Sequence, residues 1–579
     1  MNNLMDLAEH ANAEDLKARF KFLPFSCSTP NRKAEVVSKL QAILTDSETI
    51  KRIWDCLGDT QKLCLQEAVH NHHGYLDAFV FREKYQLPSP STKGWSKYGR
   101  GCDKQDQRLA PFFYPERRYG SAVRIPDDIL VCLKPMIPPP PEFIIDIASF
   151  DAAETMILES SEHTESELNV LINFIKDRKL KVSAKTGMPS KALLKKLSSQ
   201  LNEPYSERVG ESLETIKAFG WVQVLRASSW IKDSSGQLNV NLKTATLQQK
   251  NSDAMKQLFW DWQQNSQFDE FSRIQEVKGQ KGKGQRYFTS PESRREACTE
   301  TLKACPVGEW IAFTDFMRLM AVKGHYYLVT EDTSFLYIGD AHYGRIYEEA
   351  SLTNAHTRCL MMEYFALLGM IDIAYIDPEE ASDDYYNSIG QFDLDYLSMY
   401  DGLQYLRLTD LGAYILGLTA DHTATPDTKT PVLLLTKLRM QFLSSPTSSE
   451  RVFLINYADE LTNDVWQLSK NRMLAYIENG GDLQELQAFI QARDEQPYLP
   501  TEIENLFKTL DKNKQAVKAV GRVLLLRCNS ETTANTIASA PQLSKWCQRV
   551  GKDQLIIPEK KESQFRALIH ELSYAMPID

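Results

Sequence analysis

Residues 179–201 read KLKVSAKTGMPSKALLKKLSSQL and hold six lysines without an acid: Lys179, Lys181, Lys185, Lys191, Lys195 and Lys196. The chain as a whole carries a formal net charge of -10. Clustered ammonium groups neutralise phosphates and release their counterions, so one reading of the stretch is a nucleic-acid contact. The other reading is a solvated helix face. A second cationic run, KGQKGKGQR at 278–286, presents Lys278, Lys281, Lys283 and Arg286 among three glycines. Such a loop can mould to a phosphate backbone or serve as a solvated linker. Arg294 and Arg295 follow at an expected helix start, where cations gain nothing from the helix dipole. An external anion or plain solvation would account for them.

Other chemistry finds less support. A phosphate-cradling loop needs G-x-x-x-x-G-K-[ST], and the nearest approach, Gly279 to Gly284, continues into Gln285 and Arg286. The run His70-Asn71-His72-His73 invites a metal reading, yet no cysteine or carboxylate lies at matching spacing, and a polar helix end explains it equally. Ten cysteines are spread from Cys27 to Cys547 with no C-x-x-C pair, which fits buried thiols in a reducing compartment. No catalytic residue, metal or cofactor is therefore expected. A nuclease centre assembled from dispersed acids stays open as an alternative.

The opposite charge gathers at 377–401, with eight acids, no Lys or Arg, and the tyrosines Tyr385, Tyr386, Tyr396 and Tyr400. Tyrosines are amphipathic anchors, so this segment is expected to face a basic partner surface or simply solvent.

The elements behind these residues imply several domains, because 579 residues exceed one core. No apolar run is long enough to span a bilayer. The start lacks a basic region followed by an apolar core, so the expectation is a cytoplasmic protein. Residues 1–48 read as a helical hairpin that resembles the small SAP-type module, or as a plain hairpin that caps the next domain. Residues 50–143 read as helix, strand, helix and hairpin, closed by the stiff spacer PMIPPPPEF. Residues 160–250 read helix, short strand, helix, a third helix SERVGESLETIKAFG ended by Gly220, then a hairpin. That is the winged-helix order. The third helix carries Glu207, Glu211 and Glu214 against Arg208 and Lys217, so a DNA contact is expected from the second helix and the strand edge, backbone-directed and with little base specificity. Residues 251–420 repeat the order. Glu214-TIKAF-Gly220-WVQV aligns with Glu363-YFALL-Gly369-MIDI, each read as a helix that closes on glycine and enters a strand.

From 431 to 579 the texture becomes compact α+β. The run VWQLSKNRMLAYIENGGDLQELQAFIQARDEQPYLPTEIENLFKTL, then VLLLRCNSE, QLIIP and FRALIHELSY, resembles the N-terminal domain of XPB-type helicases. Ser573 stands where that family has glycine. No motor follows. A chain of winged helices ending in such a domain is similar in layout to the winged-helix clutch subunit of the transcription/repair factor TFIIH. The resemblance implies a multidomain α+β protein: tandem winged-helix units plus a C-terminal XPB-N-like domain. It implies a non-catalytic, DNA-associated accessory that contacts nucleic-acid backbone, docks a helicase or other DNA-processing partner, and needs no membrane. A pure protein–protein adaptor and a metal-dependent nuclease are the alternatives.

Overall fold

The computed structural model describes residues 2–577 apart from 92–103, 117–121, 177–179, 210–212, 242–250, 282–286, 340–343, 345, 347–348, 382–393, 395, 423–429, 445, 447, 463, 479–482, 495–498, 514–515 and 517–520. The chain is multidomain α+β and forms two compact units, residues 1–428 with 447–453 and residues 429–446 with 454–579. Among the described residues no helix is long and apolar enough to cross a membrane.

The first unit contains two hydrophobic clusters. Helices α1 (Leu4–His10), α2 (Ala13–Ala18), α3 (Lys33–Thr45), α4 (Ser47–Asp55), α5 (Asp59–His70), α6 (Ala78–Tyr85) and α7 (Asp127–Leu133) join the hairpin β1 (Tyr114–Pro115) and β2 (Val123–Arg124). Leu7, Leu40, Leu65, Phe112 and Ile129 belong to one cluster, so residues 1–48 are not a separate hairpin but part of this core. The amide of Leu4 donates to Asp128 Oδ1 at 3.0 Å and ties the chain start to α7. The strand expected at Gly74–Phe79 shrinks to one bridge, Tyr75 with Arg124, because Asp77 caps α6 by accepting from the amide of Val80. Beyond Ile137 the proline run lies extended, and Gln66 Nε2 donates to the carbonyls of Pro138 and Pro139 at 3.1 and 3.2 Å.

The second cluster draws on residues 158–416, so the stretches expected as separate winged helices at 160–250 and 251–420 bury a common core. Its sheet has the order β3 (Met156–Leu158), β9 (Ile371–Tyr375), β10 (Leu403–Leu408), β7 (Trp310–Ala312), all antiparallel. Over 164–240 the chain runs α8 (Thr164–Lys176), α9 (Lys191–Ser198), α10 (Lys217–Ala227), β4 (Ile231–Ser234) and β5 (Gln237–Val240). Next come α11 (Asn251–Gln263), β6 (Val277–Lys278), α12 (Pro291–Leu302), α13 (Phe313–Val322), β8 (Tyr337–Ile338), which pairs with β6, and α14 (Glu349–Leu360).

The third helix of the 164–240 order is displaced from its expected place. Residues 206–208 form one 3-10 turn, and α10 starts at Lys217 and runs through Gly220 and WVQVL, which was expected as a strand. The reason is Glu203. Its carboxylate folds back to accept the amides of Ile216, Lys217 (2.9 Å) and Ala218 (3.0 Å), the orphan donors of a helix start. Gly220 is therefore no helix end. A Cβ there would lie 2.3 Å from the carbonyl oxygen of Glu363, so glycine lets α10 cross the π turn Met361–Phe365 closely. Gly369 does end its helix, at φ +70°, before β9. The two aligned segments thus differ in structure and touch each other.

The second unit holds the antiparallel sheet β11 (Val432–Leu435), β12 (Arg439–Phe442), β14 (Val465–Leu468), β13 (Ala458–Thr462), in that spatial order. Helices α15 (Lys470–Glu478), α16 (Leu483–Gln491) and α17 (Thr501–Asn513) follow. A three-stranded sheet, β15 (Val523–Arg527), β17 (Gln554–Pro558), β16 (Gln548–Arg549), adjoins α18 (Glu531–Ser539) and α19 (Glu562–Glu571). Leu524 and Leu526 face the core formed by Ile537, Leu555, Ile557 and Phe565. Val523 and Leu525 point the other way and are 56% and 62% exposed.

Candidate nucleic-acid interface

The lysine-rich stretch is built on a turn and a short helix. Lys181 and Val182 extend the β4–β5 hairpin: Lys181 bridges Gln237, and Val182 N donates to the carbonyl of Gly236 at 2.8 Å. Gly236 has φ +89°, and a Cβ on it would lie 2.4 Å from the Val182 carbonyl oxygen. The chain then turns, with Gly187 N donating to the carbonyl of Ser183 at 2.7 Å. Ser190 caps α9 by accepting from the amide of Leu193 at 3.2 Å. Val182 and Leu197 are buried, and that fixes which way the cations point. Lys181, Lys185, Lys191, Lys195 and Lys196 are all exposed. Lys196 Nζ lies 5.6 Å from the centre of the Phe174 ring. Lys179 lies outside the described residues.

The neighbouring helix α10 is unavailable to a groove. Lys217 to Leu225 are buried throughout. The charges that made this region look like an acidic helix are used internally. Lys217 pairs with Glu167 at full burial, Glu214 with Arg273 at 2.9 Å, and Arg208 with Asp377 and Glu379. Burial pushes the Glu203 carboxyl up to about 7, against the pull of its three amide donors.

The other predicted cations divide. Lys278 and Lys281 are exposed, and Lys278 Nζ donates to the carbonyl of Gln275 at 2.6 Å. Lys283 and Arg286 lie outside the described residues. Arg294 and Arg295 correct the expectation: they are 0% and 1% exposed. Arg294 Nη2 donates to Asp269 Oδ2 at 2.7 Å, and Arg295 Nη2 to Glu270 Oε1 at 2.6 Å. Arg295 also lies over the Trp262 ring, 4.7 Å from its centre. Neither can reach an external phosphate. The carboxylates that hold them lie 25 residues upstream, on a neighbouring turn.

Asp269, Glu270 and His356 bring one ligand atom each within 4.8 Å of the others. Two guanidinium groups already neutralise the two carboxylates, and Arg294 Nη1 stands 3.3 Å from His356 Nε2. A metal ion placed there would be repelled by both arginines. Burial, then Arg294 and Arg295, hold the imidazole of His356 well below its ordinary pKa, so it is neutral.

The tyrosine expectation is also corrected in part. Tyr400 is fully buried and donates to Glu363, while Tyr396 is half-buried against the second cluster. Tyr385 and Tyr386 lie outside the described residues. The histidine run has local work to do: His70 Nε2 lies 2.8 Å from the Ile137 carbonyl, and Asn71 donates to Glu67 at 2.7 Å. Glu67 also binds Lys84 at 2.7 Å and has His72 Nε2 at 3.5 Å.

One cation beside the lysine face escaped the sequence reading. Arg226, at the end of α10, packs on the 186–188 turn, and no basic run or spacing announces it. No family model matches this chain, and no curated protein matches it either.

Proposed function

We propose that residues 164–241 act as a winged-helix-like module that holds nucleic-acid backbone on the Lys181–Lys196 face, within a non-catalytic DNA-associated accessory protein. The observation that supports this reading is the exposure of Lys181, Lys185, Lys191, Lys195 and Lys196 on one turn and helix of an acidic chain, while Lys217 to Leu225 of α10 are buried and Lys217 is paired with Glu167. A face of this kind contacts phosphates and reads no bases. The resemblance of residues 431–579 to the XPB N-terminal domain supports a helicase or other DNA-processing protein as partner. The outward apolar pair Val523 and Leu525 supports docking there.

The test is a fluorescence-anisotropy titration of duplex DNA at several salt concentrations. Binding should weaken with a log–log slope of about -0.9 per phosphate contacted. The quadruple variant Lys185→Gln, Lys191→Gln, Lys195→Gln, Lys196→Gln should bind all sequences more weakly and with a flatter slope. No binding by the wild type at low salt would defeat the reading and leave a pure protein–protein adaptor in its place.

A further inference from the structure

Arg226 is held unlike the arginines around it. Arg208, Arg273, Arg294, Arg295 and Arg407 all bind carboxylates. Arg226 Nη1 donates instead to the neutral Gln223 Oε1 at 2.9 Å, and its Nε is buried with no hydrogen-bond partner. The guanidinium lies flat against Gly187. A Cβ on Gly187 would fall 2.0 Å from Arg226 Nη2 and 2.3 Å from Cζ, and the glycine has φ +68°, so only glycine both makes this turn and leaves room for the fork. Gln223 is itself steadied by the same turn, its Nε2 lying 3.9 Å from Met188 Sδ. Lys185 is exposed two residues before Gly187.

We propose that Arg226, clamped between Gly187 and Gln223, is a seat for one backbone phosphate, which fixes the register of the nucleic acid on the lysine face. This rests on the reading that the face binds nucleic acid. The lysines are point charges on flexible stems and tolerate many phosphate positions. A planar fork pre-set by its surroundings accepts an anion in one orientation. A phosphodiester would meet the Nη donors of the fork, since Nε is buried, and would add a second negative charge beside Asp233, whose carboxylate acts on the guanidinium through space.

The experiment compares wild type, Arg226→Lys, Arg226→Gln, Gln223→Ala and the quadruple lysine variant, each as the full chain, for 20-base-pair duplex binding at fixed and varied salt. Arg226→Lys keeps the charge and loses the fork. It should bind about 10-fold more weakly with the salt slope little changed. Arg226→Gln should lose affinity and also flatten the slope by about 0.9. Gln223→Ala frees Nη1 without touching Gly187 and should weaken binding by about 3-fold. It decides the matter if either Arg226 variant fails to fold. Thermal melts with inorganic phosphate as the probe separate the two sources of phosphate. Stabilisation by millimolar phosphate that equals the effect of duplex, and that is lost in Arg226→Gln, would make this a free-anion site and overturn the assignment. If the quadruple lysine variant loses binding while Arg226→Lys and Gln223→Ala bind as wild type does, Arg226 is a strut for the turn: this proposal falls and the reading beneath it stands. If wild type binds no duplex, both fall.

Discussion

Two cationic regions of this chain look alike in sequence and have opposite fates. Lys181 to Lys196 stand in solvent on a turn and a two-turn helix. Arg294 and Arg295 sit one turn into α12 and are buried against Asp269 and Glu270. The difference lies in what faces each segment. Helix α12 turns its first cations towards the 3-10 turn Glu270–Arg273, which carries its own acids. Helix α9 buries only Leu197 and Ser198 and leaves its lysines outward. An arginine fork can be desolvated when a carboxylate matches it, whereas an unmatched lysine stays wet.

The largest effect should come from breaking the buried side. Arg295→Gln leaves Glu270 buried and unpaired, and should cost about 3–5 kcal/mol in urea unfolding of the intact chain. Replacing both partners, Arg295→Met with Glu270→Leu, should cost less than either single change; an additive loss would mean that the pair is not the unit of stability.

A smaller effect follows from His356, which packs on Arg294. Its folded pKa is lowered, so below about 6.5 the unfolded imidazole binds a proton that the folded one refuses. Stability should therefore fall with acidification below about 6.5, by up to roughly 1.4 kcal/mol per pH unit from this group. Above that pH the group contributes no slope. The stability gap between wild type and His356→Gln should accordingly narrow between pH 8 and pH 5.5. A constant gap would show that the imidazole takes up its proton in the fold as it does in the unfolded chain.

The smallest effect belongs to the exposed side. The quadruple lysine-to-glutamine variant should shift stability by no more than about 0.5 kcal/mol per site. A large loss would mean that these lysines are structural, and would erase the contrast with the arginines.

Local signals were readable where local chemistry decides. Pro138–Pro141 had to be extended, Gly187 and Pro189 marked a turn, and the apolar run VLLLR marked a strand, expected to be buried, although Val523 and Leu525 are exposed. The exposure of Lys185 to Lys196 followed from having no acid nearby in the sequence. What failed was set by distant partners. Glu203 relocates the start of α10 by capping amides 13 to 15 residues later. Glu363 claims Tyr400 across 37 residues, in a stretch whose composition reads as a solvated acidic loop. Gly220 and Gly369 each follow a Glu by six residues and precede apolar residues, yet one serves a helix crossing and the other a helix end, a distinction made only by what packs against them.

The strand order of the first unit also sets a schedule. Among the described residues β3 finds its sheet neighbour only in β9, and the amide of Ser160 finds Asp372 Oδ1 across 212 residues. At a synthesis rate of about 5–20 residues per second, the nascent chain carries Met156–Leu158 for roughly 10–40 s before that neighbour leaves the ribosome. Until then the Pro-rich segment hangs between a finished N-terminal core and an apolar strand with no sheet to join. A ribosome stalled anywhere between β3 and β9 would expose that strand to other chains, so stalling there should make the nascent protein a client of chaperones that bind extended apolar segments.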